Sequence, residues 1–130
     1  MSLTNTRSQP ARKVVLLDDS PTVLATLRAR FLKLGCEVRT AADASELDPD
    51  EVRSAALIVV DVQMEQVFGD DVVSLLRESW EVTAPIYLYS SLTRADLEQR
   101  GRVSGATGVV CKADGIDALV AAVSHILEAP

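Results

Sequence analysis

A three-layer α/β fold, with a doubly wound five-stranded parallel sheet between helices, is predicted by three observations. Short continuous apolar runs recur along the chain, segments of helical period separate them, and a polar or charged residue closes each run. Val14-Val15-Leu16-Leu17, Leu57-Ile58-Val59-Val60, Ile86-Tyr87-Leu88-Tyr89 and Val109-Val110-Cys111 suit strands buried on both faces. Cys36 to Thr40 alternates instead, as a half-exposed edge strand does.

The helical segments carry start and stop signals. Ser20 can cap a helix with Pro21 at its first position, where a missing N–H costs nothing. Val23, Leu24, Leu27, Phe31 and Leu34 then form one stripe, and Gly35 supplies the stop. Asp48-Pro49-Asp50-Glu51 reads as the capped entry to a short second helix. Asp70 or Asp71 is expected to open a third, carrying Val72, Val73, Leu75 and Leu76. Thr93 with Asp96 opens a fourth through about Val103, and Asp114 a fifth with Ile116, Val120, Val123 and Leu127 on one face.

Strict alternation of strand and helix implies right-handed crossovers in an open sheet, since an eight-fold barrel needs about twice the residues. Of the common strand orders, five strands suit 2-1-3-4-5, the flavodoxin-like arrangement, with the alternating second strand at an edge. That order also sets Cys36 and Cys111 at opposite edges, so both read as buried free thiols. Residues 1–11 are polar and aperiodic and read as a flexible N-terminal arm before one domain over 12–130. With the last helix running close to Pro130, no output domain is expected.

Composition narrows the function classes. Of 130 residues 48% are apolar and 25% charged, ordinary globular usage, and the net charge is −6. An acidic chain lacks the basic footprint of a general nucleic-acid or anionic-membrane binder. No apolar run reaches the length that spans a bilayer, and no secretory segment follows Met1, so a cytoplasmic protein is expected. The single His125 excludes a His-rich metal site and reads as a surface residue of the last helix. Trp80, Tyr87 and Tyr89 read as core or partner-face packing, and Met64 as a loop residue under the pocket.

The chemistry collects at one sheet edge. Asp18, Asp19, Asp61, Ser90 and Lys112 all fall at carboxyl ends of predicted parallel strands, where such sheets bind ligands. Neighbouring strands lie about 4.8 Å apart. Three carboxylates brought that close repel, and a proton or a cation must relieve them. Oxygen ligands point to Mg2+, with Mn2+ able to substitute, rather than zinc. A cation, the Lys112 ammonium and the Ser90 hydroxyl together suit a phosphoryl group, with Asp61 on the middle strand as nucleophile forming an acyl phosphate.

At these residues the sequence resembles the receiver domain of bacterial two-component response regulators. The matching pieces are Leu-Leu-Asp18-Asp19-Ser20, Val-Val-Asp61-Val-Gln-Met64, Leu-Tyr-Ser90-Ser91 and Val-Val-Cys-Lys112, in order and at family-like intervals across residues 12–128. The resemblance implies that Asp61 accepts a phosphoryl group from a sensor histidine kinase or phosphotransfer protein. It implies that Asp18, Asp19, Asp61 and the backbone carbonyl of Gln63 hold Mg2+, that Ser90 binds a phosphoryl oxygen, and that Lys112 pairs with Asp61 or its phosphate. The protein is then no enzyme on external substrates, with only self-directed phosphoryl transfer and autodephosphorylation. It signals as a stand-alone switch through altered affinity for a downstream protein, as a monomer or weak dimer.

Three positions depart from the family's pattern. Glu65 and Ala113 stand where many members have proline, and Val109 stands where the family has a switch aromatic. These leave the acceptor, metal, hydroxyl and lysine positions intact and bear on the form of the output. The alternative reading is a phosphate-independent interaction module of receiver shape. A phosphohydrolase of haloacid-dehalogenase type would want a second Asp where Gln63 stands, and neither GxxxxGK[ST] nor GxGxxG occurs for nucleotide binding.

Overall fold

The computed structural model describes residues 11–64 and 67–128. Nearly all of the expected N-terminal arm, and Glu65, lie outside the described residues. Five strands, β1 (Lys13–Leu17), β2 (Glu37–Ala41), β3 (Leu57–Val60), β4 (Ile86–Ser90) and β5 (Gly108–Cys111), form one sheet of order β2-β1-β3-β4-β5. Every neighbouring pair is parallel, as the 2-1-3-4-5 expectation requires. Helices α1 (Pro21–Lys33), α2 (Pro49–Arg53), α3 (Gly69–Glu78), α4 (Arg94–Ser104) and α5 (Ile116–Glu128) cover both faces.

The two faces carry separate cores because alternate strand residues point opposite ways. Val15, Leu17, Ile58, Val60, Ile86 and Leu88 pack with Val52 of α2, Val72, Val73 and Leu76 of α3 and Leu97 of α4. Val14, Leu16, Leu57, Val59 and Tyr89 pack with Leu27 and Phe31 of α1 and Leu119 and Val123 of α5. β3 is buried at all four positions, so its near-continuous apolar run was the correct signature of a central parallel strand. At the β2 edge Arg39 pairs with Glu37 and Glu51, charges that discourage edge pairing. Cys36 and Cys111 are both buried and free.

Helix starts agree with the sequence in three cases and shift in two. The Ser20 hydroxyl accepts from Val23 N at 3.3 Å with Pro21 next, and Asp48 and Thr93 cap α2 and α4 as expected. α3, however, begins at Gly69 with Phe68 as a cap that offers no side-chain bond; Asp70 and Asp71 lie in its first turn, where acids favour the helix dipole. The fifth helix begins at Ile116, because Lys112–Asp114 forms a 3-10 turn and Gly115 takes φ 88° before the helix can start. Its fully buried residues are Val123, as expected, and Leu119, which the expected stripe omitted, while Val120 is only half-buried. Leu34, expected on the α1 stripe, is exposed at the C-cap, and His125 is exposed as expected.

Candidate functional site

Parallel register carries the polar residues to one edge. Leu17 is level with Val60, so Asp18 and Asp61 leave adjacent strands side by side. Ser90 is the last residue of β4, level with Cys111, which sets Lys112 immediately beyond. Carboxylate oxygens of Asp18, Asp19 and Asp61 all lie within 4.8 Å of one another. The Lys112 ammonium reaches across two strands to within 2.8 Å of Asp18 Oδ2 and 3.6 Å of Asp61 Oδ2. Its closer partner is thus Asp18, whereas the resemblance implied Asp61. All five candidates lie at the carboxyl edge of the sheet, with the three carboxylates clustered and Lys112 against Asp18 and Asp61.

Local geometry fixes each group. Asp18 is 2% exposed and its Oδ1 accepts the Ser20 N–H at 2.9 Å, which joins it to the start of α1. Asp61 is 5% exposed, and its Oδ1 accepts the Gln63 N–H at 3.2 Å. Burial raises the Asp61 pKa above the usual aspartate range and the Asp18 charge adds to this; Lys112 and the Gln63 N–H act the other way. Ser90 Oγ is completely buried and, although near enough to Asp61 to favour its charged form, meets no protein group in good hydrogen-bond geometry. Such an orphan costs about 1–3 kcal/mol of desolvation, which points to a ligand oxygen as its partner.

Three contributions escaped the sequence reading. Gly69 abuts the acceptor loop so closely that a Cβ there would sit 1.9 Å from the Asp61 carbonyl oxygen; a glycine opening the helix after Asp61 was its only signal. Ser91 Oγ donates to Gln63 Oε1 at 2.7 Å, tying the loop after β4 to the loop after β3. Tyr89 lies with its ring centroid 5.8 Å from the Lys112 ammonium, beside the site rather than purely in the core. Met64 packs against the core below, as expected.

A sequence model of the response regulator receiver domain matches residues 14–124. The chain belongs to that family. Receiver domains are phosphoacceptor signalling domains of two-component systems, and membership implies phosphorylation-dependent signalling rather than turnover of external substrates. Among relatives, the chain is 31% identical over 117 residues to a gliding motility regulatory protein of Myxococcus xanthus, covering 88% of this receiver and 15% of that protein. It is 32% identical to the transcriptional regulatory protein PrrA of Mycobacterium leprae, over 88% of this chain and 49% of that one. The chain therefore spans half or less of these relatives. Among solved structures, chemotaxis protein CheY4 of Vibrio cholerae superposes with TM-score 0.78 at 28% identity, covering 91% of this chain and 100% of that one. The receiver domain of Francisella response regulator 1452, at TM-score 0.79 and 24% identity, shares the fold. No helix among the described residues is long and apolar enough to cross a membrane.

Proposed function

We propose that Asp61 is the phosphoryl acceptor of this receiver, with Ser90 and Lys112 receiving the phosphoryl oxygens. The observation that carries the reading is the buried Ser90 hydroxyl without a well-formed hydrogen bond, beside a buried carboxylate and an ammonium 3.6 Å from that carboxylate. Asp61 Oδ attacks phosphorus as the bond to the donor histidine nitrogen breaks; that nitrogen leaves with the electron pair and is protonated. The all-oxygen donor set of Asp18, Asp19 and Asp61 fits Mg2+, or Mn2+ in its place, and the Gln63 carbonyl would complete the protein ligands. When bound, the ion supplies positive charge to the acidic pair and the transferring phosphoryl group. Lys112 offers the second positive charge, and Ser90 a hydroxyl that makes no well-formed hydrogen bond to the unphosphorylated carboxylate.

The donor in this reading is a sensor histidine kinase or phosphotransfer protein in the cytoplasm, and the output is altered affinity for a downstream protein. Incubation with acetyl phosphate and Mg2+ should add one phosphoryl mass to the wild type and none to Asp61→Asn. Equal gain on both rejects Asp61 as the acceptor, and none on either favours the phosphate-independent interaction module.

A further inference from the structure

Helix α4 is the helix with the weakest apolar hold among the long ones. Leu97, Gly101 and Ser104 are its buried residues, and only Leu97 brings a large apolar side chain. Beyond Leu97 and the close approach of Gly101 to Val109, its side-chain attachments are charged. Arg100 Nη1 lies 3.0 Å from Asp70 Oδ1 and 3.1 Å from Oδ2, and the guanidinium stands 5.1 Å above the Phe68 ring centroid. Arg94 Nη2 meets Asp114 Oδ2 at 2.9 Å near the start of the helix.

The two contacts differ in weight. Side-chain exposure is 61% and 45% for Arg94 and Asp114, so water and salt screen that pair and it contributes little. For Arg100 and Asp70 it is 35% and 19%, and the aromatic face below adds a cation–π attraction. Asp70 also has a particular seat. It follows Gly69, whose backbone rests against the Asp61 carbonyl, so the Asp70 carboxylate rides on a segment in contact with the acceptor loop.

We propose that Arg100, held by Asp70 and the Phe68 ring, is an electrostatic latch that fixes α4 to the start of α3. The latch goes beyond the phosphoacceptor reading. It concerns how α4 docks when no phosphodonor is present, and it stands whether or not Asp61 is ever labelled. If Leu97 alone docked the helix, neutralising these charges would leave α4 unchanged.

Hydrogen exchange read by mass spectrometry at low ionic strength, without phosphodonor, tests this. Arg100→Gln and Asp70→Asn should each speed exchange of α4 amides about fivefold, the double variant no more than either single, with α5 unaffected. Raising salt to about 1 M should erode α4 protection in the wild type relative to α5, and not in Arg100→Gln. Unchanged α4 exchange in Arg100→Gln, singles that multiply in the double variant, or loss spread equally over all helices overturns the latch. Should Arg100→Gln not fold, the wild-type salt titration decides alone: no loss at α4 relative to α5 rejects it.

Discussion

Asp61 is held in a compromise that sets its pH behaviour. Burial and the Asp18 charge disfavour its carboxylate; Lys112 favours it but stands closer to Asp18. The folded protein therefore binds this proton more tightly than the unfolded chain does. Stability linked to Asp61 is undiminished below the unfolded aspartate pKa and falls as pH rises through the window up to the folded value. Asp61→Asn removes the ionisation while keeping the shape. In denaturant melts without divalent metal, the variant should match the wild type near about pH 4 and exceed it near about pH 7. A wild type more stable than the variant at neutral pH would mean that Lys112 outweighs burial.

At the scale of elements, the contact between α4 and β5 shows how little room lies between helix and sheet there. Gly101 lies over Val109, and a Cβ on Gly101 would come 2.7 Å from Val109 Cγ1. Alanine in a helix interior normally gains about 1 kcal/mol over glycine. Here Val109 is β-branched and stiff, so it cannot turn aside. Gly101→Ala should therefore destabilise the wild type by about 1–2 kcal/mol, yet become neutral or stabilising once Val109→Ala removes the obstructing methyl groups. Thermal melts of the four proteins check that change of sign. The tight contact also gives physical content to the valine at position 109, since the space above it is taken by helix backbone. These elements mark where the sequence was readable. β3 and β4 were legible because burial on both faces leaves an apolar run that no helix of that length would carry. The starts of α3 and α5 were not, because Asp70 and Asp114 look like caps, while the backbone obeys Gly69 packed on Asp61 and Gly115 at positive φ. Asp18, Asp61, Ser90 and Lys112 were legible as a group from strand ends alone. The choice of Asp18 as the closer partner of Lys112 was not, because it depends on side-chain reach across two strands.

Over the whole molecule, the two edges of the sheet divide the work. The carboxyl edge gathers repelling carboxylates and a hydroxyl without a well-formed hydrogen bond, groups that cost stability and suit a ligand. The amino edge does the opposite around Arg77. Its Nε donates to Gly105 O at 2.9 Å, its Nη1 to Val82 O at 2.9 Å and Ala84 O at 2.8 Å, and its Nη2 to Thr107 Oγ1 at 3.3 Å. Thr107 Oγ1 in turn accepts the Ile86 N–H at 3.0 Å. One guanidinium thus ties the end of α3, the approach to β4 and the turn before β5, a fork that a lysine cannot reproduce. Arg77→Met takes this donor from two part-buried carbonyls, Val82 O and Ala84 O, and Arg77→Lys restores at most one or two of the lost bonds. Both should lower stability, by about 2–3 kcal/mol for Met and somewhat less for Lys, read as a shift in denaturant midpoint. Because Arg77 touches nothing at the opposite edge, the fraction of folded protein labelled by acetyl phosphate and Mg2+ should stay at the wild-type level. A labelling defect in fully folded Arg77→Lys would show instead that the two edges are mechanically coupled through β4.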